Sequence, residues 1–195
     1  ELAEGFETSK YSANSFFDLP VAKKTGYLFL GWYEEVGGSL SSDKTSEITK
    51  GTIGNKSFVA KYQSTSIYVS ASGDDDTGDG SDLNPVKSVN GVSTIIESFG
   101  TPDTEWVIYI DGTLTVDTSQ TIPATVTADY AKSILITGKN GPDGSGEPQD
   151  ALDRGITATT NGSTNGNVLI INTEVPVTIT SLKLMRGSAA DGSAL

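Results

Sequence analysis

Five aspartates and three glycines fill the stretch GDDDTGDGSD, residues 73–82, which contains no apolar side chain. Carboxylate oxygens are preferred calcium ligands, and this makes Asp74, Asp76 and Asp79 the candidate metal ligands of the chain. Their spacing does not match an EF-hand loop, which alternates its first ligands and closes with a glutamate at its twelfth position. An irregular calcium site is therefore one interpretation of the stretch.

The other interpretation is a solvated turn. Gly73, Gly78 and Gly80 would then supply positive φ angles, and the aspartates would accept hydrogen bonds from their own backbone. This structural interpretation is the one that the residue types favour, and it needs no cofactor. Calcium remains the one cofactor that the sequence offers as an alternative.

Other chemistry is limited by composition. The chain has no cysteine and no histidine, which excludes a Ser-His-Asp triad, a thiolate nucleophile, a disulfide and a zinc site built from histidine or cysteine. The adjacent acids Glu34 and Glu35 stand in a predicted strand, where neighbouring side chains point to opposite faces. They are expected to be solvated rather than to flank one scissile bond.

Charge and hydropathy restrict the partners. The formal net charge is −12 and the sequence pI is about 4.3, whereas binding to nucleic acid phosphates needs clustered Lys and Arg. A nucleic acid partner is not expected. The sequence also has no run of roughly 18 apolar residues, so no membrane insertion by this chain is expected.

The character of the chain changes near residues 63–66. Residues 1–63 contain seven lysines and eight acids, a net charge of −1, and residues 64–195 contain six basic residues and seventeen acids, a net charge of −11. Ten of the fifteen aromatic residues precede position 63. We therefore predict two domains, residues 1–63 and 66–195, joined at YQSTSIY.

The first domain is predicted to be a small β-rich module. GYLFLGWYEE and SFVAKY both alternate large apolar and smaller or polar residues, which is typical of half-buried strands. Trp32 could stack on a sugar ring, but a large aromatic residue in an alternating strand more often lies in the core. We predict that Trp32 is a core residue.

These residues carry a resemblance. The run LPVAKKTGYLFLGWYEEVGG, followed by ITKGTIGNKSFVAKYQ, resembles the Listeria–Bacteroides repeat, also called the internalin B-repeat, over about residues 5 to 63. The resemblance implies a small β-grasp-like fold from exported bacterial surface proteins, where it acts as a spacer or partner-binding module. Val59 and Tyr62 stand where the family prefers Tyr and Trp.

The family also opens with a strand that this chain is expected to lack. A domain of about 60 residues buries little surface, and a missing strand would leave a sheet edge without its neighbour. The expectation is self-association through that open edge, by addition of a strand from another copy.

The second domain is predicted to begin with a strand, TSIYVSASG, and to continue into one helix. In NPVKSVNGVSTIIESFG the apolar residues recur every three or four positions, with Ser88 as the N-cap and Gly100 as the stop. Short β-branched runs follow. VIYI, ILIT and VLII begin at positions 107, 134 and 168, about 27 and 34 residues apart, which indicates the coils of a solenoid.

A strand, a Gly/Asp loop, one helix and then a series of strands resembles the N-terminal cap of right-handed parallel β-helix proteins, the pectate-lyase-like superfamily. The predicted fold class is therefore mainly β, with a β-grasp-like module followed by a right-handed parallel β-helix that has an N-terminal capping helix. The coils are expected to stop before the β-helix is complete, as in a piece of a longer protein.

Two functions are compatible with these resemblances. The first is a non-catalytic adhesin or scaffold, extracellular or on the bacterial cell surface, that binds a host or matrix protein or a glycan. The second is a polysaccharide lyase or glycosidase, with Arg154 or Arg186 as a base beside Asp153 or Asp191. The net charge of residues 64–195 would repel an acidic polysaccharide unless calcium bridges it. The resemblance to pectate-lyase-like proteins also implies that active sites lie on central coils, so any active site is expected beyond Leu195.

Overall fold

The computed structural model describes residues 10–139, 155–158 and 168–185, and it is mainly β with one helix. The chain divides into two compact units, Glu1–Ser64 and Thr65–Leu195, called unit 1 and unit 2 below. Arg154, Arg186, Asp153 and Asp191, the candidate residues for lyase or glycosidase chemistry, lie outside the described residues.

Unit 1 is an antiparallel β module. Its strands are β1 (Phe17–Asp18), β2 (Tyr27–Val36), β3 (Ser39–Thr45), β4 (Glu47–Ile48) and β5 (Ser57–Ser64). One sheet has the order β3-β2-β5, and β1 pairs with β4 in a second, two-stranded sheet. The strands predicted from GYLFLGWYEE and SFVAKY are confirmed as β2 and β5, which pair antiparallel.

Strand β3 was not predicted, because SLSSDKT has little apolar character. Its signal is the pair Gly37 and Gly38, both with positive φ (60° and 82°), in the two-residue loop that joins β2 to β3. A two-residue loop with positive φ at both positions matches the twist of a β-hairpin, and glycine adopts that geometry at low cost.

The described residues of unit 2 form the helix α1 (Val89–Phe99) and nine strands. The strands are β6 (Ser66–Ser70), β7 (Glu105–Asp111), β8 (Thr113–Val116), β9 (Gln120–Ile122), β10 (Ser133–Gly138), β11 (Gly155–Ala158), β12 (Leu169–Ile171), β13 (Val177–Thr180) and β14 (Lys183–Met185). The helix is capped as predicted: the Ser88 hydroxyl accepts from the amide of Gly91, and the amide of Gly100 donates to Ile96 O at 2.8 Å.

These strands of unit 2 pair in parallel throughout. They form three sheets with the orders β13-β10-β7-β6, β14-β11-β8 and β12-β9. Along the chain, β7, β8 and β9 enter the three sheets in turn. Strands β10, β11 and β12 then repeat that course, each pairing with its counterpart from the preceding one, and β13 and β14 begin it again.

The register places the same residue type on successive strands. Ile67 lies opposite Ile108, and Ile108 opposite Ile136, and all three side chains are 0% exposed. Fully burying one such side chain contributes about 1.5 to 3 kcal/mol. The outward-facing residues between them form parallel columns, because side chains alternate across a strand.

The predicted repeat spacing is confirmed for its first step and wrong for its second. Residues 107–110 do pair with β10, where Val107 lies opposite Leu135. VLII does not continue that ladder, since Leu169–Ile171 pairs with β9, and the third strand of the ladder is β13. The error arose because β-branched runs of three different sheets look alike in sequence.

Two runs that read as single segments in the sequence turn a corner between sheets. Gly112, with φ 69°, separates β7 from β8, and Ser181, with φ 47°, lies between β13 and β14. Both residues adopt left-handed backbone, a conformation typical of tight turns. Apolar patterning does not report such a corner.

Candidate functional site

The aspartates of residues 73–82 bond mainly to the backbone. Asp74 Oδ1 accepts from the amides of Asp76 and Thr77, both at 2.8 Å, and Asp79 Oδ1 accepts from the amide of Ser81 at 2.9 Å. The amides of Thr77 and Asp76 hold the pKa of Asp74 below its usual value. Since a lowered carboxyl pKa stabilises the folded state only while the group is ionised, this contribution is lost as the pH falls through that pKa.

Asp75 binds residues outside its own loop. Its Oδ1 accepts from the amides of Lys87 and Ser88 at 2.8 and 2.9 Å, and its Oδ2 accepts from the Ser88 hydroxyl at 2.6 Å. The loop is thereby fastened to the residues that begin α1. A Cβ on Gly91 would lie 2.2 Å from Asp75 Oδ1, which explains a glycine inside the helix.

The predicted role of the loop glycines is right for Gly80 and wrong for the other two. Gly80 has φ +75°, but Gly73 and Gly78 do not have positive φ. They are needed for close approach, because a Cβ on Gly73 would lie 2.4 Å from Val86 O and one on Gly78 would lie 2.5 Å from Pro85 O. The backbone of residues 85–86 occupies the space that a side chain would need.

The same loop covers the edge of strand β6. The amide of Tyr68 donates to Gly80 O at 2.9 Å, the amide of Val86 donates to Tyr68 O at 3.1 Å, and the amide of Ser70 donates to Val86 O at 2.9 Å. An edge strand otherwise presents unpaired amides and carbonyls to other chains. Residues 73–86 therefore close the start of the first parallel sheet.

The structure does not bring the predicted metal ligands together. Within residues 10–139, 155–158 and 168–185, no group of three or more carboxylates is arranged to hold a metal ion. Asp74 and Asp79 use an oxygen on backbone amides, as described above, and the Asp76 amide donates to Asp74. Calcium binding by Asp74, Asp76 and Asp79 stays a prediction.

A cleft of about 300 Å³ lies beside the loop. Three segments line it: Ala71 and Asp75, residues 87, 88 and 90, and residues 114–118 with Gln120. Strand β8, the turn after it and the start of α1 therefore border one open space. The cleft was not predicted, because its three segments are distant in sequence and only the topology brings them together.

A polar and aromatic wall forms the outer face of sheet β13-β10-β7-β6. Tyr68 and Tyr109 lie opposite each other in register and stack, with ring centroids 5.1 Å apart and planes at 20°. Lys139 Nζ lies 5.2 Å from the Tyr68 ring centroid, bonds to Asp82 and contacts Asp111 at 3.2 Å. The Asp82 hydrogen bond raises the pKa of Lys139 against the opposing effect of burial.

The remaining predicted residues have structural surroundings. Trp32 is 4% exposed and its indole N–H donates to Pro20 O at 2.6 Å, so its predicted place in the core is confirmed. Glu34 makes an ion pair with Lys56 at 2.6 Å, and Glu35 accepts from the Ser57 hydroxyl at 3.0 Å. These two acids therefore make polar contacts at the surface of the sheet.

Comparisons with known proteins give no relative. No protein family model, no curated protein and no solved structure matches this chain. In the part of the chain that the structure describes, no helix is both long and apolar enough to cross a membrane.

Proposed function

We propose that the chain belongs to an exported bacterial surface protein and serves as a non-catalytic scaffold or adhesin. In this proposal unit 1 is a β-grasp-like repeat of the internalin B type, and unit 2 contains the capping helix and first coils of a right-handed parallel β-helix. The partner is a host or matrix protein or a glycan, bound along the outer wall of unit 2.

One observation carries the proposal: the aligned parallel ladder β6-β7-β10-β13. Inward residues of β6, β7 and β10 are buried, and outward residues repeat at the spacing between strands, about 4.8 Å. Such a wall presents side chains in fixed columns. Further coils can lengthen it, because each coil contacts only its neighbours. Rigid, extendable surfaces of this kind suit a protein that holds partners at a distance from a cell.

The Tyr68–Tyr109 stack gives that wall a recognition feature. Aromatic rings with neighbouring carboxylates and an ammonium group can bury the apolar face of a ligand and bond its polar groups. Thr137 and Thr180 continue the same column on β10 and β13. A ligand that lies along this column would contact several strands at once.

The ladder can be tested by disulfide cross-linking, because the chain has no cysteine of its own. Val107→Cys combined with Leu135→Cys places two thiols opposite each other on adjacent strands, within the range of Cα separations that a disulfide spans. Ser66→Cys with Leu135→Cys is the matched control, since β7 lies between those strands. Rapid oxidation of the control pair, or none of the test pair, would contradict the ladder.

The binding function can be tested with arrays of glycans and immobilised matrix proteins. Tyr109→Ser should abolish any specific binding by the wall, whereas Tyr130→Ser, a tyrosine outside the stack, should leave it intact. Release of unsaturated or reducing sugar ends from a polysaccharide by this chain would instead support the enzyme alternative. Equal loss of binding in both variants would remove the wall as the site.

A further inference from the structure

The three parallel sheets of unit 2 begin at different strands, and two of the three starting edges are covered. Residues 78–86 bond to the edge of β6, as described above. At β9, the amide of Thr121 donates to Asn90 Oδ1 at 2.7 Å, and Gln120 Oε1 accepts from the amide of Val89 at 2.9 Å. The start of α1 therefore covers the edge of β9.

The third starting edge is different. Strand β8 is the terminal strand of the order β14-β11-β8, and no strand among the described residues pairs with its other side. In that same part of the chain, the backbone of residues 114–117 makes no hydrogen bond outside its ladder with β11. A parallel strand directs its amides and carbonyls to both sides, so β8 presents backbone groups where the cleft lies.

The position of the cleft indicates what it would accept. Its lining comprises residues 114–118 in β8 and the turn after it, Ala71 and Asp75, and residues 87, 88 and 90 at the start of α1. The open space therefore borders β8, the terminal strand of its sheet. We propose that this cleft is an acceptor for an extended peptide segment of a protein partner, which adds to the sheet beside β8 through main-chain hydrogen bonds.

Charge and burial define the chemistry of that segment. Asp75 and Asp117 outnumber Lys87 in the cleft, and residues 64–195 carry a net charge of −11. A second copy of this chain would be repelled, and a basic segment attracted. Leu114 points into the core, whereas Thr115 is exposed. The segment therefore alternates small apolar residues, facing the core, with lysine or arginine facing outward.

This acceptor site is separate from the outer wall, so its test is independent of the test of the scaffold function. The test uses the full chain and a fluorescent synthetic peptide of alternating lysine and valine. The control peptide has the same sequence with alternate backbone amides methylated, which keeps the charge but removes donors for β pairing. We expect saturable binding of the first peptide and at least about tenfold weaker binding of the second, as lost main-chain bonds require.

Two variants locate the site. Thr115→Lys adds a like charge at the edge of β8 and should weaken binding about tenfold or more. Thr178→Lys makes the same change at an exposed position on β13 and should have little effect. Amide chemical shifts of residues 114–117 should move on binding, and retained Trp106 emission shows that the variants fold.

Each other outcome overturns the proposal. Equal affinity for the two peptides would mean that charge alone drives binding. Equal weakening by the two variants, or shift changes away from β8, would remove the site. A dimer in sedimentation experiments that Thr115→Lys dissociates would make a second copy the occupant, and absence of binding at millimolar peptide would leave β8 without the proposed acceptor role.

Discussion

Units 1 and 2 are both β structures, but their strands pair and bury side chains in different ways. In unit 1, β2 pairs antiparallel with β3 across a two-residue turn. In unit 2, β7 pairs parallel with β10, whose partner residues lie 28 positions further along, as Ile108 and Ile136 show. Parallel pairs need a long connection between them, whereas a hairpin does not.

The buried residues differ accordingly. Among the described residues of unit 1, the buried apolar side chains are Ala22, Trp32 and Ile48, and those of unit 2 are far more numerous. Unit 1 relies on half-buried aromatic contacts, such as Phe29 with Trp32 at 5.7 Å and with Tyr62 at 5.9 Å. Unit 2 relies on columns of aliphatic side chains. One residue in unit 1 therefore carries a larger share of its stability.

The largest effect is expected for Trp32→Ala. Replacing a buried tryptophan by alanine costs about 3 to 5 kcal/mol, which is a large fraction of the free energy of unfolding of a domain of this size. Unit 1 should lose its folding transition in far-UV circular dichroism. The emission of Trp106, which lies in unit 2 and is 1% exposed, should still report a cooperative transition.

Each unit contains one of the two tryptophans of the chain, so emission can follow them separately. Trp32→Phe keeps an aromatic ring and should cost less than alanine, and Trp106→Phe leaves Trp32 as the reporter of unit 1. Loss of the Trp106 transition in the Trp32→Ala protein would show that the two cores are not separate.

A second effect tests the columns of unit 2. Ile108→Ala removes a fully buried side chain between two other isoleucines and should destabilise unit 2 by about 2 to 5 kcal/mol. Val107→Ala, one residue earlier on the outward face, should cost clearly less. Chemical denaturation followed by Trp106 emission measures both. Equal costs would contradict the assignment of inner and outer faces.

Much of the architecture could be predicted from local patterns. Alternation identified β2 and β5, the stretch TSIYVSASG was correctly predicted to contain a strand, and the Ser88 and Gly100 signals placed both ends of α1 at the observed residues. These features depend on residues within a few positions of one another. Strand β3 was missed because its apolar content is low, although Gly37 and Gly38 marked the turn before it.

What could not be predicted depends on residues far apart in the chain. Nothing near Gly91 explains a glycine inside a helix, because the group that excludes a side chain is the Asp75 carboxylate, sixteen positions earlier. The corner at Ser181 and the cleft beside β8 likewise result from how strands stack. The assignment of VLII to the wrong ladder has the same cause.

A third prediction concerns the hydrogen bonds of Asp75 with the residues that begin α1. Asp75→Ala removes an acceptor used by two amides and a hydroxyl, and it should destabilise unit 2 by about 1 kcal/mol, a moderate value because water can reach the site. Asp76→Ala is the matched control and should change the midpoint little. Thermal unfolding of unit 2 compares them.

The contact can be isolated by a second substitution. Gly91→Ala alone should be destabilising, since its Cβ would meet the Asp75 carboxylate. In the Asp75→Ala background the same change should be neutral or stabilising, because alanine favours helix over glycine by about 1 kcal/mol. If Gly91→Ala has the same effect in both backgrounds, the two residues do not interact.

The smallest expected effect is that of calcium on unit 2. Asp74 and Asp79 already accept hydrogen bonds from backbone amides, and the loop closes the edge of β6 through backbone hydrogen bonds. Millimolar calcium should therefore not move the unfolding midpoint of unit 2 relative to EDTA. A ligand that binds only the folded state at 100 times its Kd would stabilise it by about 2.7 kcal/mol. An upward shift of that order, lost in Asp79→Asn but kept in Asp129→Asn, would make residues 73–82 a metal site. Unit 2 would then depend on an ion where unit 1 depends on aromatic packing, and the backbone bonds of the loop would be only part of what holds its first sheet closed.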